Sequence, residues 1–322
     1  YKPLAPLSAL LAISFLIAGL VILVLDLGRP NRLIVAMTTY NFKSIFSWNI
    51  FLYSGFTVVL AAYMWTMLDR EVNKYSKFMG TFAFGWRIIL TTGTGSIFGF
   101  LVAREAYSTA ILAPLFIVMS LLYGTAVYYL ILRLISKFHD TYITTDILDN
   151  LKKLSVMFLF ANLYFLGLYH VTNMYIAKHL DFEIFILSSG GIYTISFWVG
   201  QVFIGIILPI IILSSNKLCT HLALTISSIL ILIGSFIAMY VIIIGGQAYP
   251  LTIFPDHIII DSSFFDNVVH SYIPSVYEFG LGIGGIALAL IIVLVGIANF
   301  KFLPTMISSL HKKEAAEKSS DS

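Results

Sequence analysis

The chain alternates long apolar runs with short polar breaks, and the length of the runs is the informative quantity. A helix that crosses roughly 30 Å of hydrocarbon at 1.5 Å per residue needs about 20 mostly apolar residues. Eight stretches qualify. The first is Leu7 to Leu25, closed by Asp26, and the second is Ser47 to Leu68, closed by Asp69, Arg70 and Glu71. The third, Phe78 to Ala103, is interrupted by Arg87 and carries the small-residue run Thr91 to Ser96, a place for close helix approach. Ala110 to Leu132 and Leu154 to Ala177 follow, the latter with His170 inside it. A sixth lies within the uncharged stretch Ile184 to Asn216, where Pro209 predicts a kink or an exit. The seventh lies between Cys219 and Gly246, and the eighth runs from Glu278 to near Phe302. The pattern predicts an all-α, polytopic transmembrane bundle over residues 1–310 and a disordered cytoplasmic tail over 311–322.

Two of the breaks are unusual. Leu25 to Trp48 is a polar hinge that gathers Asp26, Gly28, Arg29, Pro30, Arg32, Asn41 and Lys43 between two apolar runs. The connection 247–277 is the longest, with Asp256, Asp261 and Asp266, no Lys or Arg, and Tyr249, Pro250, Phe254, Pro255, Tyr272 and Pro274. A long aromatic loop of this kind reads as a docking or functional surface.

Composition agrees with the pattern: 59% of residues are hydrophobic and 11% charged, against roughly 25% charged in soluble domains. The net charge of +3 is small and divided among loops, so it reports topology and not nucleic-acid binding. Lys and Arg concentrate on the side holding both ends of the chain: Lys2, Arg70, Lys74, Lys77, Arg133, Lys137, Lys152, Lys153, Lys217, Lys301, Lys312, Lys313 and Lys318. The opposite side has Arg29, Arg32, Lys43, Arg104 and Lys178. The positive-inside rule puts the ends in the cytoplasm and the hinge and long loop in the periplasm of a bacterium.

The chemistry to be expected is narrow. One cysteine, Cys219, cannot hold an iron–sulfur cluster, and one histidine well inside a span, His170, is too few for paired haem ligation; there is no CxxCH and no P-loop. What remains is a set of polar groups at membrane depth or its edge, where an unpaired ionisable group is costly and function is the default reading. Each has a plainer alternative. Asp26 and Arg29 suit a helix cap with a lipid-phosphate contact as well as a site. Arg87, too deep to snorkel easily, suits a structural ion pair with a neighbouring carboxylate. His170 suits a satisfied core histidine, although Tyr164, His170, Asn173 and Tyr175 recur at spacings that favour one helix face. Glu278 suits a helix N-terminal charge or a proton acceptor. Trp48, Tyr63 and Trp65 suit an interfacial aromatic belt.

Several segments carry a resemblance. Leu25-Asp26-Leu27-Gly28-Arg29-Pro30, with Asn41-x2-Ser44-x3-Trp48, resembles the signature of the NrfD/PsrC family of membrane subunits of respiratory oxidoreductases. Thr92-Gly93-Thr94-Gly95, Gly99 to Val102 with Arg104, Pro114-Leu115-Phe116, Phe197-Trp198-x-Gly200-Gln201 and Gly205-x3-Pro209 continue it. Gly246 to Pro250, Phe254-Pro255, Tyr272-x-Pro274-Ser275 and Glu278-x3-Gly282-x-Gly284-Gly285 are similar to the HybB-like and DsrP-like branches.

The resemblance implies a cofactor-free bundle that exchanges electrons between a quinone pool, menaquinone or ubiquinone, and a periplasmic ferredoxin-like iron–sulfur subunit. That subunit would in turn serve a catalytic one: a hydrogenase, a molybdoenzyme or an enzyme of sulfur metabolism. It also implies a further amino-terminal span before the LDLGRP hairpin, bearing part of the quinone site. On this reading Asp26, His170 and Glu278 accept protons. Arg29, Asn41, Trp48, Arg87, Arg104, Asn173, Tyr249 and Tyr272 bind the quinone, with Arg87 and Arg29 stabilising negative charge. No metal ligand set is expected. A secondary transporter and a purely structural anchor are the competing classes.

Overall fold

The computed structural model describes residues 4–138, 143–215, 220–250, 269 and 272–299. Among these the secondary structure is helical throughout, without a strand. The long helices are α1 (Ala5–Leu25), α3 (Ile45–Leu68), α4 (Ser76–Gly99), α5 (Leu112–Phe138), α6 (Thr145–Tyr175), α8 (Ile192–Ser214), α9 (Thr220–Ala248) and α10 (Val276–Asn299). The short α2 (Leu33–Thr38) lies in the hinge and α7 (Ala177–Ile184) follows α6. Seven of these helices are long and apolar enough to cross a membrane.

The apolar runs predict eight such segments, and α4 is the difference. It is a continuous helix of 24 residues, but Lys77, Arg87 and its Gly, Thr and Ser residues dilute its apolar character below that of the others. It also stops at Gly99, short of Ala103, because the chain turns there through a compact loop in which Ser108 takes a positive φ of 68°. The fifth run begins earlier than its apolar core suggests: Thr144 is extended, and Asp146 sits in the first turn of α6, where the helix dipole favours an acid. The tail 311–322, Cys219 and most of the 247–277 loop lie outside the described residues.

Two compact units divide the chain, Tyr1–Gly93 with Ile273–Ser322 and Thr94–Tyr272. In the first, α1 and α10 run antiparallel, with Gly296 closed against Leu10 and Gly285 against Ile22. A core of Leu16, Phe56, Leu60 and Leu90 joins α1, α3 and α4. The Trp86 indole lies against Gly55 and donates to the Leu52 carbonyl at 3.0 Å, while Asn49 Nδ2 donates to the Gly93 carbonyl at 3.1 Å. Small residues facing large rings, plus interhelical hydrogen bonds, are the means by which helices associate where burial from water contributes little.

The second unit packs α5, α6, α8 and α9, with α7 leading into α8. α7 continues into a π-helical turn, Phe185–Ser189, and the chain reverses at Gly190-Gly191. Gly191 has φ 57°, a conformation that only glycine adopts without strain. α8 is π-helical over Ser196–Ile207 and α9 over Tyr240–Gly245. Pro209, predicted to mark a kink or an exit, lies just where α8 returns to α geometry. Gly205 of α8 and Gly234 of α9 meet backbone to backbone, leaving no room for a Cβ on either.

Candidate functional site

The last turns of α6 place Tyr169, His170 and Asn173 on buried positions. The bend after Ile176 then brings α7 alongside, so that Glu183 faces them. His170 Nδ1 donates to Glu183 Oε2 at 2.6 Å, and Asn173 Nδ2 donates to Glu183 Oε1 at 3.0 Å. Glu183 and Asn173 are fully buried, so both carboxylate oxygens have partners where water cannot reach them. Burying such a pair carries a desolvation penalty that geometry must offset, and removing either member leaves an uncompensated group.

Tyr169 and Phe197 meet the imidazole edge-on at ring separations of 4.9 and 4.7 Å. Beside it is a small cavity of about 20 Å³, whose wall includes Tyr169, His170, Phe197, Gln201 and Val241. That is room for one water and far too little for an aromatic headgroup.

A second layer lies at the same end of this unit, where the loop between α4 and α5 is clamped from three helices. Tyr169 donates its hydroxyl to the Ala106 carbonyl at 2.7 Å, Lys178 Nζ donates to the Val102 carbonyl at 2.7 Å, and His179 bonds the Glu105 carbonyl. Arg104 donates to the carbonyls of Gln247 (3.1 Å) and Tyr249 (3.2 Å), and the Tyr107 hydroxyl to Ile242 (3.0 Å) inside the π segment of α9. Burial raises the Glu105 carboxyl above its ordinary range, and the neighbouring Asp181 charge adds to this, while His179 and Lys178 oppose it. Burial also pushes the Tyr107 phenol up to about 12, partly offset by Arg104. Tyr249 is raised by burial first, then by Glu105 and Asp181.

The predicted site residues thus fall into separate groups. His170 and Asn173 come together around Glu183, and Arg104 and Tyr249 share the clamp. Tyr272 is exposed at the edge of this unit. The remainder belong to the first unit. Asp26 closes α1 through its own N–H to Ile22, Arg29 is exposed, and Asn41 Oδ1 accepts from the Lys43 N–H at 3.1 Å. Trp48 donates to the Phe42 carbonyl at 2.9 Å. Arg87 lies over the Phe56 ring, 5.6 Å from its centre, a cation–π arrangement; among the described residues no carboxylate pairs with it, the alternative reading of its depth. Ser275 and Glu278 exchange hydrogen bonds, the Ser275 N–H to Oε2 at 2.6 Å and the Glu278 N–H to Ser275 Oγ at 3.3 Å. This is a capping box, so Glu278 serves the start of α10. Because α1 and α10 are antiparallel, Asp26 and Glu278 lie at one end of that unit.

Sequence reasoning did not select Glu183, Gln201, Tyr107 or Tyr169. The signal for Glu183 is that it is one of few acids in chain reach of the polar face of α6. Among the described residues no cluster of three or more His, Cys, Asp or Glu is arranged to hold a metal.

An integral membrane protein of many helices, with an enclosed histidine–carboxylate pair near one end of the bundle, is the class that fold and site define. Residues 1–250 match the family described as polysulphide reductase, NrfD, and the chain belongs to that family. It is 30% identical over 307 residues to the Hdr-like menaquinol oxidoreductase integral membrane subunit of Archaeoglobus fulgidus, covering 94% of this chain and 77% of that one. It is 22% identical over 332 residues to a subunit of the selenate reductase of Mesobacillus selenatarsenatis, covering 91% and 76%.

Proposed function

We propose that this chain is the quinol-interacting membrane subunit of a multisubunit respiratory oxidoreductase. It exchanges electrons between a quinone pool, menaquinone by analogy with the named archaeal relative, and an extracytoplasmic ferredoxin-like iron–sulfur subunit that serves a catalytic partner. The observation that carries the reading is the His170–Glu183 pair. It is a buried, proton-sharing group held by Asn173 near one end of a lipid-embedded bundle, and both relatives are subunits of oxidoreductases.

Oxidation of a quinol to a quinone releases two protons with two electrons, so a proton acceptor must stand within one hydrogen bond or one water of the reacting oxygens. The imidazole meets this need. When its outward nitrogen takes a proton, Nδ1 passes its own to Glu183, so the ring ends neutral as its other tautomer and the pair goes from one negative charge to none. Asn173 fixes the carboxylate so that the transfer needs no rearrangement. The 20 Å³ cavity excludes the headgroup itself, so the carrier docks outside it and only protons enter. Arg104, Tyr249 and the clamped loop lie on the extracytoplasmic side in the topology given by the Lys and Arg distribution. There they form part of the surface offered to the iron–sulfur partner, and both chain ends face the cytoplasm.

The test is titration of the membrane-embedded complex with a quinol analogue, followed by intrinsic fluorescence quenching and by electron transfer to the partner. Saturable binding at one site, with turnover abolished by His170→Ala or Glu183→Gln while the complex stays assembled, is expected. Normal turnover in both variants refutes the assignment, and a transporter or an inert anchor would show no saturable binding.

A further inference from the structure

We infer that the cavity beside His170 is a binding site for one water molecule, seated between the Gln201 carboxamide and the edge of the imidazole that faces away from Glu183. The size is right: the space is about 20 Å³, and a cavity needs roughly 10–15 Å³ of this kind to hold a water. So is the chemistry of the wall. Apolar cavities of this size stay dry, whereas polar ones with at least two hydrogen-bonding partners fill. Here Tyr169, His170 and Gln201 interrupt an otherwise apolar lining.

Two of those polar groups have capacity to spare. Gln201 is only 4% exposed, and its Oε1 is buried without a hydrogen-bond partner. A buried amide oxygen is ordinarily satisfied by protein or by an ordered water. His170 commits Nδ1 to Glu183, which leaves Nε2 as an acceptor while the ring is neutral. A single water donates one hydrogen to Gln201 Oε1 and the other to His170 Nε2, satisfying both. Tyr169 spends its hydroxyl hydrogen on the Ala106 carbonyl and presents only an oxygen.

The backbone explains why the space exists. Phe197 and Gln201 lie in the π-helical part of α8, and Val241 and Ile242 lie in that of α9. A π-helix is wider than an α-helix and occurs mostly as local bulges, frequently at functional sites; with Ile186 of the π turn after α7, three such segments line this one cavity. Tyr107 helps to hold the second, by donating to the carbonyls of Ile242 and Ile243.

The role of the water rests on the function proposed above. A proton arriving at its oxygen releases one of its own to His170 Nε2, and the ring passes the Nδ1 proton to Glu183 Oε2. The water is regenerated, the imidazole is left neutral as its Nε2–H tautomer and Glu183 is protonated, so the balance is one proton delivered to the carboxylate; return of the ring to its first tautomer readies the next transfer.

The experiment is a density map of the whole complex at a resolution that reveals ordered waters, for the natural chain and for Gln201→Leu and Gln201→Glu. It is paired with infrared difference spectra in water labelled with heavy oxygen. One peak within hydrogen-bonding distance of Gln201 and of His170 Nε2 is expected, with an isotope-sensitive O–H band. Both are lost in Gln201→Leu and kept in Gln201→Glu, which retains an acceptor. An empty cavity in the natural chain, or a peak unchanged by Gln201→Leu, overturns the inference. Should the leucine variant fail to assemble, the map and band of the natural chain decide alone. A complex that holds the water but oxidises no quinol sinks the functional reading only; one that oxidises quinol around an empty cavity sinks only this site.

Discussion

His170 Nδ1 on α6 lies 2.6 Å from Glu183 Oε2 on α7, with the carboxylate fully buried. The two residues are thirteen apart in the chain, and the bend at Ile176 is what turns that separation into contact. Removing one member of a buried pair leaves the other uncompensated, at a cost of about 3–5 kcal/mol. Glu183→Gln and His170→Ala are therefore each expected to lower the unfolding midpoint. The double variant should cost much less than the sum, as double-mutant analysis of residues in direct contact reads out. Additive losses would show that the pair is not coupled.

The π segment of α9 depends on Tyr107. Tyr107→Phe keeps the ring against Phe98 but removes the hydroxyl that serves Ile242 and Ile243, a loss of about 1 kcal/mol. Amide exchange over 240–248 should accelerate while exchange in α5 is unchanged. Unaltered protection over 240–248 would mean that the widening of α9 is self-sustaining.

Arg104 ties the loop after α4 to the end of α9 through two carbonyls. Charge-assisted bonds of this kind contribute about 1.5–3 kcal/mol each when well formed. Arg104→Ala should expose residues 247–250 to limited proteolysis, and Arg104→Lys, which lacks the planar fork, should rescue only partly.

A pH effect follows from Glu105. Its pKa is raised in the folded protein, chiefly by burial and then by Asp181, so the folded state holds this proton more tightly than the unfolded state. The stability it contributes is present below the ordinary carboxylate value of 4.5 and is lost as pH rises through the raised folded value. Thermal stability of the loop should fall across that interval, and Glu105→Gln should flatten the profile and raise stability above it. A variant with the natural profile would show that Glu105 is not the group responsible.

Gly234 and Gly205 meet with no space for a methyl group, whereas Gly124 on α5 has nothing within 4 Å of an added Cβ. Gly234→Ala should force α8 and α9 apart at a cost of about 1–3 kcal/mol, seen as a lower melting temperature of the detergent-solubilised complex. Gly124→Ala should be neutral or slightly stabilising. Equal melting temperatures would mean that the helices slide past the added carbon.

The residues themselves determined the solvent, the helical architecture and the family. Hydrocarbon admits only elements that satisfy their own backbone hydrogen bonds, so apolar length translates directly into helices. That translation located all the long helices, Pro209 at the α8 junction, and the LDLGRP hinge. α4 meets the length but is the least apolar of the eight over a membrane-length stretch, because Arg87 and a small-residue stretch reduce its hydropathy. The partners of the polar groups were decided by tertiary structure alone. His170 was visible as an anomaly in an apolar run, but that it faces Glu183 depends on the Ile176 bend. Gln201 beside the same cavity depends on π-helical offsets, which leave no periodic trace in the residues. Glu278, equally conspicuous in the chain, is occupied by Ser275. Burial from water is a property of a run and can be read along it; a hydrogen bond between helices is a property of their packing and exists only once the chain has folded.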